Sequence, residues 1–185
     1  MKITVIILNG PSCAGKTSIA KEICKQSTAN FVHLQIDETK KYLFTILDSI
    51  LTPRTISRKV CDEILLKTAD TIINNSHNVV IDTTFNAEDG GISIANSYIN
   101  HFNGKNVVFI GIDCNLEERL QRFQTYNNNP ARNEEEIRRQ TNVFSQCANL
   151  YDIFFDTSHA SAENIAKDIL QYITQKFEDF FTTNK

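Results

Sequence analysis

The sequence predicts an α/β chain: a three-layer fold with a five-stranded parallel sheet and helices on both faces, in one domain over residues 1–185. Three observations predict it. Apolar runs of strand length alternate with helix-period patterns along the whole chain, as expected of a sheet with helical crossovers. The run Ile3-Thr4-Val5-Ile6-Ile7-Leu8 leads straight into Gly10-Pro11-Ser12-Cys13-Ala14-Gly15-Lys16-Thr17, which meets every required position of the phosphate-loop pattern G-x-x-x-x-G-K-[ST]. Polar residues gather just past the apolar runs, at Asp37, Asp82–Thr84, Asp113 and Asp156–Ser158, where open parallel sheets bind ligands.

Residues 3–8 form the first strand, and Ile19, Ala20, Ile23 and Cys24 mark one face of the helix after the loop. Phe31 to Ile36 reads as a second strand ending at Asp37. Tyr42, Leu43, Ile46, Leu47 and Ile50 mark a helix, which Thr52-Pro53-Arg54 breaks. A longer helix carries Ile56, Val60, Ile64, Leu65, Thr68 and Ile72 and stops near Asn74–Asn78. Val79-Val80-Ile81-Asp82 is a short buried strand. Asp89-Gly90-Gly91 is a loop before a helix to about Phe102, and Val107–Ile112 is the next strand. Asn115 with Glu118 gives the following helix a capping-box start, with Leu116, Leu120 and Phe123 inside. Asn127-Asn128-Asn129-Pro130 breaks the chain. Asn133 with Glu136 starts another helix, with Ile137, Phe144 and Cys147 facing inward. Ile153–Asp156 is the last strand, residues 161 to about 180 the last helix, and Thr182–Lys185 fray. Five strands near residues 3–8, 32–36, 79–82, 107–112 and 152–156, joined by right-handed crossovers, complete the sheet.

The 185 residues suffice for one core, and 41% hydrophobic with 22% charged residues describes a globular chain. A net charge of −3 provides no basic field for nucleic acid, so none is expected as a partner. No apolar run nears the roughly 20 residues of a membrane span, and the short N-terminal run does not read as a signal peptide. The five cysteines have no C-x-x-C spacing and are odd in number, which predicts reduced thiols and a cytoplasmic location. His33, His77, His101 and His159 have no metal-ligand spacing.

A loop wrapped around a phosphate offers successive N–H groups, and the helix start adds partial positive charge. Residues Gly10 to Ser18 are therefore the candidate nucleotide-binding segment. Gly10 and Gly15 permit the tight approach, Lys16 is placed for the outer phosphates, and the Thr17 hydroxyl for Mg²⁺. Asp82 ends an apolar strand in the pattern that holds the Mg²⁺ shell. Asp37 has two readings: it orients or deprotonates an acceptor hydroxyl, or it caps the following helix. Arg119, Arg122 and Arg132 flank a tip at about 122–135 and are candidates for a closing lid that delivers cations to the phosphates. Arg138 and Arg139 are read as solvated or paired with nearby glutamates. Asp156-Thr157-Ser158 either lines an adenine pocket or caps the last helix.

The chain resembles the chloramphenicol phosphotransferase-like family of P-loop kinases. The resemblance is carried by Ile6–Ser18, Asp37, Val79–Asp82, Phe109-Ile110-Gly111-Ile112-Asp113-Cys114 and Tyr151–Ser158, and runs from Ile3 to about Ile173. Asn9 and the Tyr-Asp…Asp-Thr ending are its most family-specific parts. The resemblance implies the P-loop kinase fold with strand order 2-3-1-4-5. It also implies ATP with Mg²⁺, transfer to a hydroxyl of a small molecule, Asp37 as base, Lys16 on the phosphates and arginines at the transferring group. Gln124–Pro130 departs from the family's closely spaced lid arginines. The acceptor is an antibiotic, a nucleoside or nucleotide, or a sugar derivative. The alternative is a nucleotide-binding regulatory ATPase or switch without an acceptor.

Overall fold

The computed structural model describes residues 3–47, 58–86, 90–126 and 133–177. Thr52-Pro53-Arg54, Asp89, Asn127–Pro130, Arg132 and the end of the chain from residue 178 lie outside the described residues. The elements run β1 (Thr4–Asn9), α1 (Lys16–Gln26), β2 (Phe31–Gln35), α2 (Ile36–Leu47), α3 (Arg58–Asn74), β3 (Asn78–Thr83), α4 (Gly91–His101), β4 (Asn106–Asp113), α5 (Leu116–Tyr126), α6 (Glu134–Arg139), α7 (Val143–Gln146), β5 (Ile153–Asp156) and α8 (Ala162–Lys176). The five strands form one parallel sheet in the order β2-β3-β1-β4-β5, as the sequence predicts.

Alternation along the central strand divides the core. Ile6 and Leu8, with Val80, Val108 and Ile110, face α1 and α8 through Ile19, Ile23, Ile165 and Ile169. Val5 and Ile7, with Val79, Ile81 and Phe109, face α3 and α4 through Leu65, Ala69, Ala95 and Tyr98. A strand buried on both faces is apolar along its interior, which is why Val5–Leu8 of β1 reads as a continuous hydrophobic run between the buried polar ends Thr4 and Asn9. Each fully buried isoleucine or leucine contributes about 1.5–3 kcal/mol. Among the described residues no helix is long and apolar enough to cross a membrane.

Two elements differ from expectation. The second strand stops at Gln35, and α2 begins at once with Ile36, so Asp37 lies inside the helix's first turn instead of at the strand end. Ile36 is buried in the α3-side core, and the Thr39 hydroxyl donates to the Gln35 carbonyl at 3.2 Å, so the chain turns helical as soon as the strand ends. The helix expected from Asn133 onward is broken after Arg139 by a 3-10 turn over Gln140–Asn142 and resumes only as the single turn α7. Two predicted caps are present, Asn115 accepting from the Glu118 amide and Asn133 from Glu136, while α8 is capped by Ser161, which accepts from Asn164, and not by Asp156-Thr157-Ser158.

Gly111 in β4 leaves room that two rings fill. A Cβ there would meet the rings of Phe144 and Tyr151 at 2.7 Å. Gly111→Ala is expected to cost about 1–3 kcal/mol by overpacking, read as a lower midpoint in urea unfolding with an unchanged slope.

Candidate active site

The phosphate-loop segment crosses the carboxyl edge of the sheet between β1 and α1. Cys13 (φ 63°) and Gly15 (φ 91°) both take left-handed conformations, which turns neighbouring N–H groups toward a common centre. Gly15 is the N-cap of α1, no side chain caps that helix, and its first turn carries no acid. An uncapped, left-handed helix start of this kind suits an anion. Gly10 runs so close to β4 that a Cβ would lie 1.8 Å from the Ile112 carbonyl oxygen, so no side chain fits.

The carbonyls of Gly10, Pro11, Cys13 and Ala14 and the Ser12 amide are held by side chains from around the loop. The Lys16 ammonium, 7% exposed, donates to the Gly10 and Pro11 carbonyls at 2.9 Å each. The Thr84 hydroxyl also donates to Gly10, at 3.0 Å. The Ser12 amide donates to Gln140 Oε1 at 2.6 Å. Arg122 Nη1 donates to the Cys13 carbonyl at 3.4 Å, and the Thr157 hydroxyl to the Ala14 carbonyl at 2.8 Å. Ala14 is buried, and Ser18, in the first turn of α1, is exposed.

Asn9 places the loop's entry. Its Oδ1 accepts from the Phe85 amide at 2.9 Å and its Nδ2 donates to the Tyr151 hydroxyl at 2.8 Å. Tyr151 in turn donates to the Phe144 carbonyl at 3.2 Å, and burial above all keeps its hydroxyl protonated well above the usual tyrosine range. The next residue, Asp152, accepts from the Phe109 amide at 2.8 Å and pairs with Lys176, pinning the start of β5. Asn9, Gly111 and the Tyr-Asp pair, far apart in the chain, are thus one contact cluster.

The candidate metal residues meet. The Thr17 hydroxyl donates to Asp82 Oδ2 at 2.5 Å and accepts from Gln35 Nε2 at 3.1 Å. His33 Nε2 lies 3.7 Å from the same carboxylate oxygen, buried and with no hydrogen-bond partner. A hydroxyl, a carboxylate and an orphaned imidazole nitrogen side by side beside a helix N-terminus fit a hydrated divalent cation. Among the described residues no group of three or more His, Cys, Asp or Glu side chains would hold a metal unaided. An ion here therefore needs oxygens from water and phosphate as well. Asp37 stands two residues beyond Gln35, which pairs with Asp82 across the strands. Its side chain is 40% exposed, with Lys40 at 4.0 Å.

The arginines separate. Arg122 lies along the loop: it donates to Thr157 Oγ1 at 2.9 Å, the Thr157 carbonyl at 2.7 Å and Glu118 at 3.0 Å, and its Nη1 is 3.6 Å from where a Gly15 Cβ would be. Arg119 is 1% exposed, donates to the Ile137 carbonyl at 3.3 Å, and leaves Nε without a partner. Burial lowers its pKa, offset in part by Asp113. Arg132 lies outside the described residues. Asp156 turns to Ser158, whose hydroxyl and amide hold its carboxyl below the usual range. None of the five cysteines is in a disulfide.

Sequence reasoning did not single out Gln140, Gln35 or Arg58. Arg58, the first residue of α3, shares its Nε hydrogen between both Asp62 carboxylate oxygens at 2.9 Å each and donates from Nη2 to the Thr83 hydroxyl and from Nη1 to the Thr84 carbonyl, also at 2.9 Å. Tyr98 donates to Asp62 at 2.5 Å, and burial followed by that carboxylate pushes its pKa far up. The network ties α3 and α4 to the segment that carries Thr84. Only the spacing of Arg58 and Asp62, one helical turn apart, hinted at it.

Asn9→Ala is expected to cost about 1–3 kcal/mol by stranding the Phe85 amide. Tyr151→Phe should cost about 1 kcal/mol, and adding it to Asn9→Ala little more, because the two share one bond. Denaturant unfolding of the three variants checks this cycle.

No curated protein matches the chain significantly. Solved structures share its fold. A shikimate kinase from Acinetobacter baumannii in complex with shikimate is 17% identical, with 95% of each chain covered and a TM-score of 0.66. The tunicamycin resistance protein of Deinococcus radiodurans is 12% identical over 93% of this chain and 96% of its own, with a TM-score of 0.66. A gluconokinase from Sinorhizobium meliloti 1021 is 11% identical over 99% and 98%, with a TM-score of 0.62. The family model described as chloramphenicol phosphotransferase-like protein matches residues 3–174. With that match spanning nearly the whole chain, and the phosphate loop, Asn9 and the Tyr-Asp ending joined in one site, the chain belongs to the chloramphenicol phosphotransferase-like family of P-loop kinases.

Proposed function

We propose that the chain is an ATP-dependent phosphotransferase that moves the γ-phosphoryl group to a hydroxyl of a small molecule. The observation that carries this reading is the juxtaposition at one sheet edge. An uncapped helix start with Lys16 lies beside the Thr17–Asp82 pair, and Asp37 follows the neighbouring strand. The family and the kinase neighbours support it, and a shikimate kinase and a gluconokinase among those neighbours support a hydroxylated acceptor.

In this reading the loop from Gly10 to Ser18 binds the nucleotide's phosphates through its amides. Lys16 leaves the Gly10 and Pro11 carbonyls for the outer phosphates, exchanging two neutral acceptors for a charged one. Thr17 and Asp82 would hold Mg²⁺, which would neutralise phosphate charge. Asp37 accepts or orients the acceptor's hydroxyl proton. Arg122 adds positive charge along the loop, and Thr157 supports the loop's nucleotide side. Arg119 holds α5 to α6, and Arg132 is the remaining lid candidate. The site works as a positioning device, since phosphoryl transfer needs alignment and charge neutralisation more than covalent help.

The test is transfer of labelled γ-phosphate from ATP across a panel of hydroxylated metabolites and antibiotics. Asp37→Asn should lower transfer about 10²–10⁴-fold while ATP binding stays within a few fold. Transfer at the wild-type rate would remove Asp37 from the mechanism. Lys16→Ala should lose both transfer and nucleotide binding. Asp82→Asn should weaken Mn²⁺ binding, read by electron paramagnetic resonance in the presence of ADP, by about tenfold or more.

A further inference from the structure

Ser12 sits at the outer turn of the phosphate loop, just before Cys13, whose left-handed backbone is unfavourable for any residue with a side chain. A loop in this shape relaxes unless its neighbours hold it. Its carbonyls are held by Lys16, Thr84, Arg122 and Thr157. The Ser12 amide is held by one group, Gln140 Oε1, at 2.6 Å. Gln140 is 7% exposed and comes from the 3-10 turn that breaks the helix after Asn133. Because a backbone N–H can be met only by an acceptor, the amide's orientation follows from the chemistry. The residue is also tied to α5: Arg119 donates to the carbonyl of Ile137, three residues earlier on α6.

We propose that Gln140 is a positioning residue for the phosphate loop: it holds the Ser12 amide so that the strained loop keeps its anion-binding shape before nucleotide arrives. The inference rests on the reading that this loop binds nucleotide phosphate. The connection between α5 and β5 thereby sets nucleotide affinity from outside the loop. Losing the bond strands a buried amide and lets the loop relax, so binding must then rebuild its shape.

The test compares wild type with Gln140→Leu, of similar size but without an acceptor, and Gln140→Glu, which keeps an acceptor oxygen. In nucleotide-free protein, exchange of the Ser12 amide should be at least about tenfold faster in Gln140→Leu than in wild type and should return toward wild type in Gln140→Glu. Amides in β1 and β4 should be unaffected. A fluorescent ATP analogue with Mg²⁺ should bind Gln140→Leu about tenfold more weakly. Unchanged Ser12 exchange, or affinity equal to or tighter than wild type, overturns the proposal. If Gln140→Leu does not fold, Gln140→Asn, which draws the oxygen back by one methylene, is read in the same assays by the same criteria. A wild-type chain that binds no nucleotide refutes the kinase reading. The Ser12 exchange difference then still decides whether Gln140 holds the loop.

Discussion

The passage of Gly10 against the Ile112 carbonyl is the constraint on which the site depends. With no room for a side chain, the loop leaves β1 pressed onto β4, and the groups that stabilise it must come from other elements. They come from α1 itself (Lys16), from the segment after β3 (Thr84), from α5 (Arg122), from the turn after α6 (Gln140) and from the segment after β5 (Thr157). A segment that presents amides to an anion has few of them left for its own carbonyls, here the Ala14 amide on the Pro11 carbonyl at 3.3 Å, so its own backbone stabilises it little. The surrounding fold does so instead, by bonding mostly the carbonyls that point the other way.

Asn9, Gly111 and Tyr151 show how the sheet is fitted to that loop. Gly111 opens a space on β4, and the Tyr151 ring enters it and stacks on Phe144 at 5.1 Å. The Tyr151 hydroxyl then reaches the Asn9 amide, while the Asn9 carbonyl oxygen holds the Phe85 amide. Three strand ends are thereby locked by one asparagine. Replacing any of the three loosens the site without touching a phosphate-binding residue.

The charged groups fall into two sets. Asp82, Thr17, Gln35 and His33 gather under the N-terminus of α1, where the helix start favours an anion and the Asp82 carboxylate favours a cation beside it. Arg58, Asp62 and Tyr98 form a buried, mutually bonded network on the α3–α4 side. A buried ion pair of this kind is weak evidence for stability but fixes geometry, because removing one partner strands the other. Through Thr84 that geometry extends to the Gly10 carbonyl.

The fold class, the caps at Asn115 and Asn133 and the phosphate loop were legible in the sequence, because each is written in local spacing: continuous apolar runs, Asn three residues before an amide, and G-x-x-x-x-G-K-T; the strand order was implied by the family resemblance. Thr17 and Asp82 were legible as a pair for the same reason, since the motif and the strand end place them in one register. The position of Asp37 within α2, the separation of Arg119 from Arg122 and the break at Gln140 were decided by packing. A helix pattern does not record that the turn over Gln140–Asn142 tightens to 3-10. Arg119 and Arg122 look alike as residues three apart, and only the covering by Ile137 and α6 makes one a buried strut and the other a loop contact. Local periodicity thus determined the elements and the anion-binding loop. The partners of the loop's backbone, which come from residues up to 143 positions away, were decided by the tertiary structure, because hydrogen bonds over such separations leave no periodic trace in the chain.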